Sequence, residues 1–77
     1  MPMPQMQAVS SSMIWQLGYD DQAKALYVRF TPSKKWPGGR LGIVSGVTPQ
    51  EADDLANAPS IGQAWNLSFR SRPIAYL

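Results

Sequence analysis

The stretch TPQEADDLANAPSIGQAWN, residues 48–66, carries a legible helix start, stop and buried face. Thr48 is a good N-cap, and Pro49 suits the first helical position, where a missing N–H costs nothing. Glu51 follows Thr48 by three residues and completes a capping box. Glu51, Asp53 and Asp54 sit toward the positive end of the helix dipole. Ala52, Leu55 and Ala56 share one face at i, i+3, i+4. Pro59 biases Ala58 away from helical angles and ends the helix around Asn57-Ala58-Pro59. Ser60 then starts a shorter helical turn that carries Trp65.

Outward from this stretch the chain reads as strands. On the N-terminal side, Met13–Tyr19 is short, apolar and aromatic, as a strand is. Met13, Trp15, Leu17 and Tyr19 share a face by period two, yet Ile14 is also a natural core residue. A bulge near Gly18 reconciles the two. Asp20-Asp21-Gln22-Ala23 is a turn in which Asp20 can accept from backbone two residues on. Ala25–Phe30 is a second strand, with Leu26, Val28 and Phe30 inward and Tyr27 and Arg29 outward. Thr31–Gly39, with two prolines and a Gly pair, is a loop. Arg40–Val44 is a third strand. Leu67–Arg70 reads as a final short strand. Residues 1–8 read as a flexible tail, because Pro2 and Pro4 discourage regular structure. Residues 71–77 read as a C-terminal tail, and 9–70 as the single domain. Leu67, Phe69, Ile74 and Leu77 either close the core or form a contact patch. The fold class expected is α+β: a small antiparallel sheet of three to four strands packed on one helix and a short helical turn.

Composition narrows the function classes. The chain has 77 residues, no cysteine and no histidine. Disulfide staples, thiolate chemistry, the commonest metal ligand and the commonest general base are therefore all absent. A core this small is marginal, so three Trp, three Tyr and two Phe must supply much of the burial. Ser10-Ser11-Ser12 leads into the first strand and has no base to activate it. Asp20 with Asp21 is a turn pair, and Glu51 with Asp54 is explained by capping. Two hard ligands make an incomplete metal site. The expectation is a protein that is not an enzyme, with no cofactor and no metal. Seven basic and five acidic residues leave a net charge of +2, modest for a chain relying on phosphate contacts. No apolar run approaches the roughly 20 residues of a membrane span, and residues 1–7 lack the pattern of a signal peptide. A soluble, cytoplasmic protein is expected.

In order and spacing, Val9-Ser10-Ser11, Ile14, Gly18-Tyr19-Asp20 and Leu26-x-Val28-x-Phe30 resemble the first half of the KTSC domain. Val47, the acidic helix, Leu55, Ala58-Pro59-Ser60, Gly62, Trp65-Asn66 and Phe69 resemble its second half. The resemblance covers roughly residues 9–70. That domain occurs alone in bacterial and phage proteins and at the C-terminus of some lysyl-tRNA synthetases, and RNA binding has been suggested for it. This chain departs from the pattern in two places. The loop Thr31–Gly39 is longer. The family's Tyr-x-Tyr falls on Gly42 and Val44, or on Leu41 and Ile43, so a base-stacking platform of that kind is missing here.

For a contact site, Lys34-Lys35-Trp36-Pro37-Gly38-Gly39 is the most suggestive loop. Arg29 and Arg40 extend it across the sheet, and Arg70 and Arg72 are candidates to join it. Trp and Arg are enriched among interface hot spots, while base stacking and phosphate contact use the same residues. In the bland reading, Trp36 folds back on the core. The function expected is a small regulator acting by protein–protein binding. The resemblance extends this to a phage-type inhibitor of host machinery such as RNA polymerase or a defence complex. An RNA-binding module is the alternative. No membrane partner is expected, and a homodimer is compatible with the composition.

Overall fold

The computed structural model describes residues 4–77; residues 1–3 of the expected tail lie outside the described residues. Among the described residues, five strands form one antiparallel meander in the order β1-β2-β3-β4-β5. They are β1 (Gln7–Ala8), β2 (Ile14–Asp20), β3 (Ala25–Phe30), β4 (Leu41–Ser45) and β5 (Ala75–Tyr76). Two helices, α1 (Pro49–Ala56) and α2 (Ile61–Ser68), lie between β4 and β5 in the chain. The class is α+β, as expected.

The sheet has more strands than the sequence suggests because both expected tails add one. Gln7 and Ala8 pair with Leu17 and Gln16, and Ala75 and Tyr76 pair with Ile43 and Gly42. Each two-residue strand satisfies a backbone edge that β2 or β4 would otherwise leave open.

β2 resolves its facing conflict through a bulge, at Trp15 and not near Gly18. Ile14 opposes Phe30 and Gln16 opposes Arg29, so Trp15 is the extra residue. The added residue turns Ile14 and Leu17 to the same side, although they are three apart. Both are buried, whereas Trp15 remains 41% exposed. Asp20 accepts from the N–H groups of Gln22 and Ala23, as its position in the turn requires.

α1 carries the full capping box: Thr48 accepts from the Glu51 N–H, and Glu51 accepts from the Thr48 N–H. Ala52 and Leu55 are its buried residues. α2 corrects the sequence reading. Ser60 caps it by accepting from the Gln63 N–H, and it runs two turns to Ser68, so Leu67–Arg70 is no strand. Ile61, Trp65 and Phe69 are buried at i, i+4, i+8, one stripe of a helix continued into its C-cap. Leu67 is 86% exposed, and its alternation with Phe69 only imitates a strand.

The core joins the helices to one face of the sheet. Ile14, Leu17, Leu26, Val28 and Val44 meet Val47, Leu55, Ile61, Trp65 and Phe69. Among the C-terminal apolar residues, Ile74 packs on this cluster, while Leu77 stays largely exposed.

Candidate functional site

The site begins with a loop held at its base. The Phe30 N–H donates to the Arg40 carbonyl (2.9 Å), so the loop 31–39 closes a β3–β4 hairpin. Ser33 and Trp36 exchange backbone hydrogen bonds of 2.9 and 3.1 Å, which puts Lys34 and Lys35 at an exposed tip. Gly39 closes the loop at φ +81°, where a Cβ would lie 2.5 Å from the Phe30 carbonyl oxygen. Only glycine tolerates both demands. Arg29 Nη1 donates to the Gly38 carbonyl at 3.3 Å and ties the loop to β3.

Arg40, at the foot of β4, is held by aromatic rings. Its Cζ lies 4.5 Å from the centroid of Trp36 and 3.9 Å from that of Tyr76, distances at which a guanidinium is attracted to ring faces. Its Nε is buried without a hydrogen-bond partner. The bland reading of Trp36 is therefore half true: the ring folds back, but onto Arg40, and keeps 37% of its surface exposed.

Tyr76 reaches Arg40 because Gly42, opposite it, has no side chain. A Cβ on Gly42 would stand 2.9 Å from Ile74 Cγ2 and 3.4 Å from Tyr76 Cε1. From Tyr76 the rings continue into the core. Tyr76 lies 6.3 Å from Phe30, Phe30 meets Trp65 edge-on at 5.6 Å, and Trp65 stacks on Phe69 at 5.5 Å. Arg72 closes the far end over Phe69, 4.9 Å from its centroid. It also forms an ion pair with Glu51. That hydrogen bond and those from Thr48 hold the Glu51 carboxyl below the usual range.

The seven expected contact residues thus do not form one patch. Arg29, Lys34, Lys35, Trp36 and Arg40 gather at the loop end. Register separates Arg29 and Arg40 onto opposite faces: Arg29 opposes Leu41, so Arg40 falls on the side of Phe30. Arg72 belongs to the far end, paired with Glu51, and Arg70 is exposed just beyond α2. Two further aromatic residues border this end. Tyr76 lies in the stretch expected as a C-terminal tail, and its pairing with Gly42 has no local signal. Trp15 lies beside the loop, its ring 3.4 Å from the Cβ position of Gly39, where Arg29 Cγ also approaches to 3.1 Å.

The charges separate along the strands. Arg29, Lys34, Lys35 and Arg40 occupy the loop end with no carboxylate among them. Asp20 and Asp21 sit at the β2–β3 turn. α1, with Glu51, Asp53 and Asp54, is tethered there by the Val47 N–H bonded to the Lys24 carbonyl (2.9 Å).

The model of the KTSC domain matches residues 10–72. The chain belongs to the KTSC domain family. A crystal structure of a KTSC domain protein from Yersinia pestis superposes with a TM-score of 0.81 at 24% identity, over 95% of this chain and 96% of that one. At that identity the likeness speaks for the fold alone. No curated protein matches the chain. The β4 positions on which the expected Tyr-x-Tyr falls, Gly42 and Val44 or Leu41 and Ile43, carry no aromatic ring. The space over Gly42 is taken instead by Tyr76 and Ile74. No described helix is long and apolar enough to cross a membrane.

Proposed function

We propose that this KTSC domain is a small non-catalytic regulator that binds an acidic surface of another protein through its loop end. One observation carries the reading: four of the seven basic residues lie at this loop end, Arg40 against the Trp36 ring, and none of the four is in an ion pair among the described residues. Arg40 supports it further, since rings hold it in place but leave its charge unneutralised. A preorganised arginine beside a half-exposed tryptophan loses little entropy on docking. Such pairs are common among hot spots. Lys34 and Lys35 at the tip would mainly speed the encounter. For a phage member of the family, the reading extends to host machinery such as RNA polymerase or a defence complex.

RNA binding is the second reading, favoured by Trp15 beside Arg29 and the loop. An exposed ring next to a cation can stack on a base. A pull-down from lysate, with and without nuclease and over a salt series, separates the two. A protein contact predicts capture that survives nuclease and is lost in Arg40→Ala. Phosphate contact predicts loss on nuclease treatment and a steep salt dependence. Capture undiminished by Arg40→Ala and by Trp36→Ala would refute the protein reading, and capture undiminished by Trp15→Ala and by Arg29→Ala would refute the RNA reading.

A further inference from the structure

The opposite end of the sheet holds a groove of about 420 Å³ between the β1–β2 segment and α1. Val9, Leu17, Leu26 and Ala52 give it an apolar lining, and Asp21 and Asp53 stand on its rim. Three of the five carboxylates are used within the fold. Asp20 accepts from the turn backbone, Asp54 from the Gln50 side chain at 2.8 Å, and Glu51 from Thr48 and Arg72. The other two, Asp21 and Asp53, take no side-chain hydrogen bond and no ion pair among the described residues, and both line this groove.

We infer that the groove binds a lysine or arginine side chain of a partner polypeptide. The lining matches such a side chain in both its parts. The aliphatic stem lies along apolar surface and the charged head reaches toward water, where Asp21 and Asp53 wait. A bare metal ion fits poorly, because two carboxylates beside an aliphatic wall supply too few oxygens. An anionic ligand would meet two carboxylates and no cation in the lining. Tyr19, also in the lining, donates its hydroxyl to the Val47 carbonyl, so it does not compete for the cation. Burial and then the nearby charge of Asp21 push the Tyr19 phenol up, in keeping with a negative field in the groove. The inference concerns the end of the sheet away from the basic loop and stands independently of the proposal for that loop.

The test is an NMR titration of the isotope-labelled chain with three blocked tripeptides, Leu-Lys-Leu, Leu-Arg-Leu and Leu-Glu-Leu. The expected result is saturable amide shifts at Leu17, Gly18, Ala52 and Asp53 with the two basic peptides and none with the acidic one. The double variant Asp21→Asn, Asp53→Asn should weaken binding by about tenfold or more through loss of charge pairing, with the melting temperature lowered only slightly by the lost helix-dipole contribution of Asp53. Equal binding of the acidic peptide, or full binding by the double variant, would overturn the inference. So would concentration-dependent shifts of the same amides without peptide that vanish in Lys34→Ala, Lys35→Ala. That outcome would assign the groove to a second copy of the chain.

Discussion

Two arginines end the same line of aromatic rings, and their settings differ. Arg72 lies over Phe69 and is neutralised by Glu51, which is itself fixed by the capping box of α1. Arg40 lies over Tyr76 and Trp36, and no carboxylate among the described residues meets it. At the Arg72 end, packing and charge are both satisfied inside the fold. At the Arg40 end, packing is satisfied and charge is not. An unneutralised cation held in a fixed place is suited to an incoming anion, whereas a paired one mainly joins helix to tail. The sequence put both arginines in one candidate patch; only their partners tell them apart.

The largest break in this comparison should come from the rings. Phe69 is 2% exposed and Tyr76 44% exposed. Phe69→Ala should therefore cost about 3–5 kcal/mol of stability, enough to unfold much of so small a domain. Tyr76→Ala should cost far less in the same denaturant titration. Equal losses would mean that the Arg40 end is as much core as the other.

Trp36→Ala sharpens the comparison from the binding side. It should weaken partner binding by about 2 kcal/mol or more while moving the thermal midpoint little. If it unfolds the chain instead, the ring serves the core.

Thr48→Ala removes a support of Glu51 as well as a cap. A loss of about 0.5–2 kcal/mol is expected, read from chemical denaturation. A neutral result would show that the Thr48 N–H and Arg72 hold Glu51 without the hydroxyl.

The smallest effect is a pH signature. The folded state depresses the pKa of Glu51, chiefly through Arg72 and then Thr48. Its contribution is complete above the ordinary glutamate range and is lost as pH falls through its lowered folded pKa. Arg72→Gln should therefore melt lower than the native chain at neutral pH. The gap should narrow on acidification to whatever the contact with Phe69 supplies. Tyr19, which also senses Glu51, stays protonated across that range and does not blur the reading. Arg40→Gln should show a gap that does not narrow, because no carboxylate among the described residues faces Arg40. A narrowing there would reveal an acidic partner of Arg40 and undo the contrast.

Local chemistry determined much of this protein by itself. Thr48, Pro49 and Glu51 place the start of α1 because a capping box needs only four consecutive residues. Leu26, Val28 and Phe30 set the facing of β3 by alternation alone. Asp20 marks its turn through a bond to the next few residues. What the sequence left open depends on contacts between distant segments. The bulge at Trp15 exists because Ile14 and Leu17 must both meet the helices. α2 continues past Leu67 because Phe69 finds Trp65 and the core. Ala75 and Tyr76 become a strand only because β4 offers an unpaired edge, and Gly42 leaves room for the Tyr76 ring. The candidate site followed the same division. Lys34, Lys35 and Trp36 were visible as a charged aromatic loop. That Arg40 is held by Trp36 and Tyr76 while Arg72 is paired with Glu51 was decided by tertiary structure. Charge and ring size are written residue by residue, but which cation meets which ring or carboxylate is fixed only when strands and helices come together.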